Sequence, residues 1–121
     1  MNKNILIVED DARLRNALCQ ITAKAGYQPT GVESGEEALE QASEHVFALV
    51  ISDLKLPGIS GMQVLQSIRS ATPDTSIIII TAYASVDTAV EAMKNGAEDY
   101  LVKPFSLDEI RIIINRVMEK R

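Results

Sequence analysis

Four short apolar runs, at positions 5–8, 48–51, 77–80 and 100–102, are unbroken rather than alternating. A strand with one wet face alternates apolar and polar residues, so an unbroken run belongs to a strand covered on both faces, as in a parallel sheet sandwiched by helices. These runs are expected as central strands. A weaker segment at 28–32 contains Pro29, which has no N–H for a strand ladder and is best tolerated at a sheet edge. It is expected as the edge strand. Helical patterns lie between the runs: Leu14, Leu18, Ile21 and Ala25 recur at helical steps, and Ile110, Ile113, Ile114 and Val117 share one helix face. Ser34 before Glu37, Ser60 before Gln63 and Ser106 before Glu109 stand at capping-box spacing and mark helix starts. Phe105 and Ile110 flank the last of these caps at staple positions, Asn95-Gly96 suits a helix end, and Pro73 follows a helix that ends near Thr72.

A five-fold alternation of strand and helix implies an α/β fold, a doubly wound parallel sheet with right-handed crossovers. Five strands favour the flavodoxin-like order 2-1-3-4-5 with five helices. The 121 residues, 46% of them apolar, suit one core and leave little room for a second; residues 1–121 carry no linker, repeat or low-complexity segment. A formal net charge of −5 argues against direct contact with nucleic acid or an anionic membrane, both of which are gripped by Lys and Arg, and it favours cations. Cys19 is the only cysteine, which excludes an intramolecular disulfide. No apolar run approaches the roughly 18 residues that span a bilayer, and no targeting segment is visible at the N-terminus. A soluble, cytoplasmic protein is the expectation.

In an open parallel sheet the ligand site lies beyond the carboxyl ends of the strands, where the winding reverses, here between the first and third. The first strand runs into Glu9-Asp10-Asp11, the third ends in Asp53, the fourth in Thr81 and the last in Lys103. Wet strand ends explain any one of these residues, but not all of them on one edge. Carboxylates gathered in one crevice repel one another unless a cation joins them, and oxygen ligands without nearby His or Cys select a hard ion such as Mg²⁺. Asp10 and Asp53 are the expected ligands. Lys103 adds a fixed positive charge and Thr81 a hydroxyl, which makes the space beside Asp53 suitable for phosphoryl oxygens, with the Asp53 carboxylate as nucleophile. Asp11 stands where the first helix needs its N-cap and is assigned that part.

The ordered set ILIVED, DLKLPG, ITAY and LVKPF resembles the response-regulator receiver domain of two-component systems over essentially the whole chain. The resemblance implies a single receiver domain over 1–121, with any output domain absent or removed. It further implies a signalling switch rather than an enzyme acting on other molecules: a sensor histidine kinase supplies the phosphoryl group to Asp53, and the receiver catalyses only its own phosphorylation and dephosphorylation. The matching positions imply that the backbone carbonyl of Lys55 joins Asp10 and Asp53 on Mg²⁺. Glu9 then acts mainly through coordinated water and is the more dispensable acid, Lys103 contacts the phosphoryl group, and the Lys103-Pro104 bond is cis. Thr81 should swing toward the phosphoryl group, with Tyr100 filling the space behind it and reporting the active state by its rotamer. Ala82 leaves the site open, while Lys55 and Tyr83 stand where receivers tune the lifetime of the acyl phosphate.

The segment ITAYASVDTAVEAMKNGAEDYLVKPF is most similar to receivers of enhancer-binding transcriptional activators, so control of transcription is the expected output. Ile112 lies opposite the core face of its helix, on the surface where many receivers form homodimers or meet an output domain, and is expected to contribute there. The competing readings are a Mg²⁺-dependent phosphohydrolase of small substrates and a flavin mononucleotide carrier. The first usually has a second acid two residues after the nucleophile, where this chain has Lys55; the second requires phosphate beside Glu9-Asp10-Asp11, which would repel it. Gly58 is expected to permit a backbone conformation closed to bulkier residues, and Ser60 and Gly61 to shape the adjoining turn. His45 reads as a solvated loop residue, Cys19 as a small packing residue, and Arg111, Arg116, Lys120 and Arg121 as complements to the last helix dipole.

Overall fold

The apolar runs do build a parallel sheet. The computed structural model describes residues 1–121 and alternates strand and helix throughout. Its elements are β1 (Asn4–Val8), α1 (Ala12–Lys24), β2 (Gln28–Val32), α2 (Gly35–Glu44), β3 (Leu49–Asp53), α3 (Gly61–Ala71), β4 (Ser76–Thr81), α4 (Val86–Lys94), β5 (Asp99–Val102) and α5 (Leu107–Glu119). The sheet order is β2-β1-β3-β4-β5, with every pair parallel. The expected fold and strand order are therefore observed, and Pro29 sits on edge strand β2.

Successive strand residues face opposite sides, which divides the core in two. Leu6, Val8, Val50, Ile77 and Ile79 pack with Ala38, Val64, Leu65, Ile68 and Ala92 of α2, α3 and α4. Ile5, Ile7, Leu49, Ile51, Ile78 and Ile80 pack on the other side with Leu18 of α1 and Ile110, Ile114, Val117 and Met118 of α5. No helix is long and apolar enough to cross a membrane.

Three expectations need correction. The run at 100–102 is the second edge of the sheet rather than a central strand: β5 has a neighbour on one side only, and Val102 is 48% exposed. Ala25 is not on the buried stripe of α1 but exposed as its C-cap; Thr22 is buried instead, its hydroxyl donating to the carbonyls of Leu18 (2.9 Å) and Cys19 (3.0 Å) so that no polar atom goes unsatisfied. The Ser34 cap has only one half of a capping box. Glu37 N–H donates to Ser34 Oγ at 3.2 Å, but the Glu37 carboxylate accepts from that hydroxyl instead of reaching back to the Ser34 backbone.

Ser60 and Ser106 form complete boxes, and Phe105 packs against the cluster that holds Ile110. Ser85 starts α4 with a further box in which the Thr88 hydroxyl does the work of a carboxylate or amide. Asn95 is the C-cap of α4, followed by Gly96 at φ +95°, and Thr72 caps α3 before Pro73. The basic residues in and just after α5 do more than complement its dipole: Arg116 pairs with Asp99 of β5, and Arg121 donates to the Asp74 carbonyl at 2.7 Å and to Ser76 Oγ at 2.9 Å.

Candidate functional site

The carboxyl ends of the central strands are level. Val8 pairs with Ser52, Asp53 with Ile80 and Thr81 with Val102, so the residues that end or follow β1, β3, β4 and β5 emerge on one edge. Asp53 closes β3 with only 5% of its surface exposed. Its Oδ1 accepts from the Lys55 N–H at 3.1 Å, which folds the following loop back over it. Its Oδ2 accepts from Lys103 Nζ at 2.7 Å.

Lys103 Nζ lies equally close, 2.7 Å, to Glu9 Oε1. Glu9 is wholly buried; Oε2 accepts from the Asp11 N–H at 3.0 Å, whereas Oε1 meets the ammonium as an ion pair without the geometry of a hydrogen bond. Burial pushes the Glu9 carboxyl above the usual carboxylate range, and the Lys103 ammonium and the hydrogen bond from the Asp11 N–H offset this only in part. For Lys103, burial alone would lower the ammonium, but the hydrogen bond to Asp53 and the ion pair with Glu9 outweigh it and hold its pKa above the usual lysine value. Arg15 of α1 donates to the Glu9 carbonyl at 2.9 Å and fixes the backbone at the same corner.

Asp10 is exposed, and its carboxylate oxygen lies with those of Glu9 and Asp53 in a group whose members are all within 4.8 Å of one another. Three carboxylates, one of them with a buried oxygen lacking a hydrogen bond, make a donor set that could hold a hard cation. The structure thus brings Glu9, Asp10, Asp53 and Lys103 together. Asp11 stands apart from them as the N-cap of α1, accepting from the Arg13 N–H at 3.0 Å.

Thr81 is fully buried at the end of β4, and its Oγ1 accepts from the Tyr83 N–H at 2.9 Å. The Tyr83 ring is largely exposed, and Lys55 Nζ stands 4.3 Å from its centroid, so a cation–π contact spans the loops that follow β3 and β4. Ala82 between them is exposed. Tyr100 is half-buried, its hydroxyl 2.8 Å from Thr88 Oγ1 on α4. The Lys103-Pro104 bond is cis, and Gly58 has φ +75°, both as expected.

The burial of Glu9 was not legible in the sequence. It is the most enclosed of the three acids and shares Lys103 with Asp53. Arg15 was missed as well, since nothing in its place on a polar helix face signals a bond to a strand-end carbonyl. His45 is exposed, with its ring edge-on to Phe47; Cys19 is half-buried and its thiol is pushed up by burial; Ile112 is 61% exposed.

Comparison with known proteins agrees with this geometry. The family model described as response regulator receiver domain matches residues 5–115. The response regulator protein FleR of Pseudomonas aeruginosa is 44% identical over 117 residues, covering 97% of this chain and 24% of that protein. A crystal structure of the signal receiver domain of a LuxO-type repressor from Vibrio parahaemolyticus superposes with a TM-score of 0.93 at 35% identity, covering 99% of this chain and 92% of that one. The receiver domain of NtrC4, solved in solution as a beryllofluoride-activated dimer, gives a TM-score of 0.91 at 33% identity and 98% coverage of each chain. The chain spans about a quarter of the length of the curated relatives it matches. None of these relatives supports a small-substrate phosphohydrolase.

Proposed function

This chain belongs to the response regulator receiver domain family, and on that premise we propose that Asp53 accepts a phosphoryl group from a sensor histidine kinase. The observation that carries the reading is the sharing of Lys103: one ammonium lies 2.7 Å from both Asp53 Oδ2 and Glu9 Oε1 at the carboxyl edge of the sheet. A nearly buried carboxylate, the nucleophile of this reading, thereby stands beside a cation able to follow the phosphoryl oxygens. A new O–P bond forms at Asp53 as the P–N bond of the phosphohistidine breaks, and the imidazole leaves with the kinase; beyond accepting and losing this group the receiver turns over no substrate.

Asp10, Asp53 and the backbone carbonyl of Lys55 would hold Mg²⁺ directly, with Glu9 acting through water; the oxygen-only donor set supports that choice of ion. Once bound, the ion neutralises charge on the phosphoryl oxygens. Lys103 contacts the incoming group from the other side. Thr81 gives up the Tyr83 N–H and turns its hydroxyl toward a phosphoryl oxygen, and Tyr100 leaves Thr88 to occupy the space behind it. Phosphorylation so shifts a population between two packings of the β4 and β5 edge. The Lys55 to Tyr83 contact, between the loops that follow β3 and β4, sets the lifetime of the acyl phosphate in this reading.

The output is control of transcription through a further domain or partner, a reading supported by similarity to regulators such as FleR. A homodimer on phosphorylation, with Ile112 at its interface, is supported by the exposure of that residue and by the activated dimer of the NtrC4 receiver. The deciding experiment is intact-mass spectrometry after incubation with Mg²⁺ and acetyl phosphate. A labile gain of one phosphoryl group in the parent, absent from Asp53→Ala, is expected. A gain that persists in the variant would overturn the assignment, as would a parent that takes up nothing from acetyl phosphate and its kinase alike.

A further inference from the structure

The loop at 54–60, between β3 and α3, has no regular structure of its own, yet it must keep Lys55 beside Asp53. Near Asp53 it is held by the Lys55 N–H on Asp53 Oδ1 and by the Gly61 N–H on the Leu54 carbonyl at 2.8 Å. Its far half is held from outside. Glu36, in the first turn of α2, accepts from the Ile59 N–H through Oε1 at 3.1 Å. The same carboxylate fills the place where residue 58 would carry a side chain: a Cβ on Gly58 would lie 2.1 and 2.5 Å from its two oxygens. The contact is reciprocal, since a Cβ on Gly35 would lie 2.4 Å from Ile59 Cγ1 and 2.9 Å from the Ile59 carbonyl oxygen. Two glycines therefore let the start of α2 and the acceptor loop close on each other, with Glu36 as the bolt between them.

We infer that Glu36 is a positioning residue for the acceptor site: by holding Ile59 it fixes the loop that presents the Lys55 carbonyl to the crevice shared by Asp10 and Asp53. The inference rests on the reading of that crevice as the cation site. Glu36 acts as a hydrogen-bond acceptor rather than as a charge, which separates its role from the field of the neighbouring acids.

The test is a Mg²⁺ titration without phosphodonor, followed by the amide resonances of residues 53–55 in the parent, Glu36→Ala and Glu36→Gln, with hydrogen exchange at Lys55 and Ile59 measured on the same samples. Glu36→Ala should bind Mg²⁺ about three- to tenfold more weakly, the effect of losing one net hydrogen bond, and its Ile59 and Lys55 amides should exchange faster. Glu36→Gln keeps an acceptor and should match the parent. An alanine variant with the parent's affinity overturns the inference. A glutamine variant as weak as the alanine one also overturns it, because the effect is then one of charge. A parent that fails to bind Mg²⁺ instead removes the cation-site reading on which the inference stands.

Discussion

Helices α3 and α4 each follow a strand that delivers a site residue, Asp53 from β3 and Thr81 from β4, but they are anchored very differently. Val64, Leu65 and Ile68 of α3 are buried together with Gly61, whereas α4 buries Ala92 alone and leaves Val86, Val90 and Met93 exposed. The strands beneath them differ likewise: β3 is buried along its whole length, while no residue of β5 is fully buried. Stability within a domain follows local burial, so segments with few buried contacts open first. Asp53 thus closes a firmly held strand, and of the two residues proposed to respond to phosphorylation Thr81 ends the equally buried β4, whereas Tyr100 stands on β5 beneath α4, where least holds the chain in place.

Leu65→Ala should show the largest effect, lowering the free energy of urea unfolding by about 2–5 kcal/mol, since a buried leucine leaves a cavity. A loss near that of an exposed site would break the contrast on the α3 side. Mg²⁺ at about a hundred times its dissociation constant should add about 2.7 kcal/mol to stability and raise the thermal midpoint, an increment removed by chelator and absent from Asp53→Ala. Tyr100→Phe removes the hydroxyl facing Thr88, which keeps its bonds to Ser85; a loss of about 0.5–1.5 kcal/mol is expected, with faster amide exchange in α4 and none in α3. Exchange accelerating equally in both helices would mean that they open as one unit. Val90→Ser, at an exposed site on α4, should change stability by less than about 0.5 kcal/mol. A larger loss would mean that this face is packed in solution.

The same contrast separates what the sequence disclosed from what it withheld. Unbroken runs such as Ile77 to Ile80 announced strands because burial on both faces leaves no polar position, and the serine caps announced helix starts because orphan N–H groups require an acceptor. At β5 the rule gave the wrong position: a short apolar run reads alike at the centre and at an edge, and only the strand order distinguishes them. The Ser85 box escaped notice because its third residue is threonine rather than Glu or Gln. At the site, Glu9, Asp10, Asp53, Thr81 and Lys103 could be brought to one edge from strand ends alone. Their order within the crevice could not, because whether Glu9 or Asp10 turns inward depends on the path of the chain into α1 and on the position of Lys103. The bond from Ile59 to Glu36 joins residues far apart in sequence, and no local pattern marks it.

The register of β1 carries a consequence for how the molecule comes into being. Among the parallel pairings, that of Ile5 with Leu49 closes the longest stretch of chain, well beyond Asn4 with Gln28 or Ile78 with Asp99. Longer closures sacrifice more chain entropy before any contact repays them, and they form later and more slowly. Because this pairing is the one that sets Asp10 beside Asp53, a nascent chain can hold a finished β1, α1 and β2 unit and still have no crevice. The site is a product of completed folding, since the three carboxylates meet only once β1 has paired with β3.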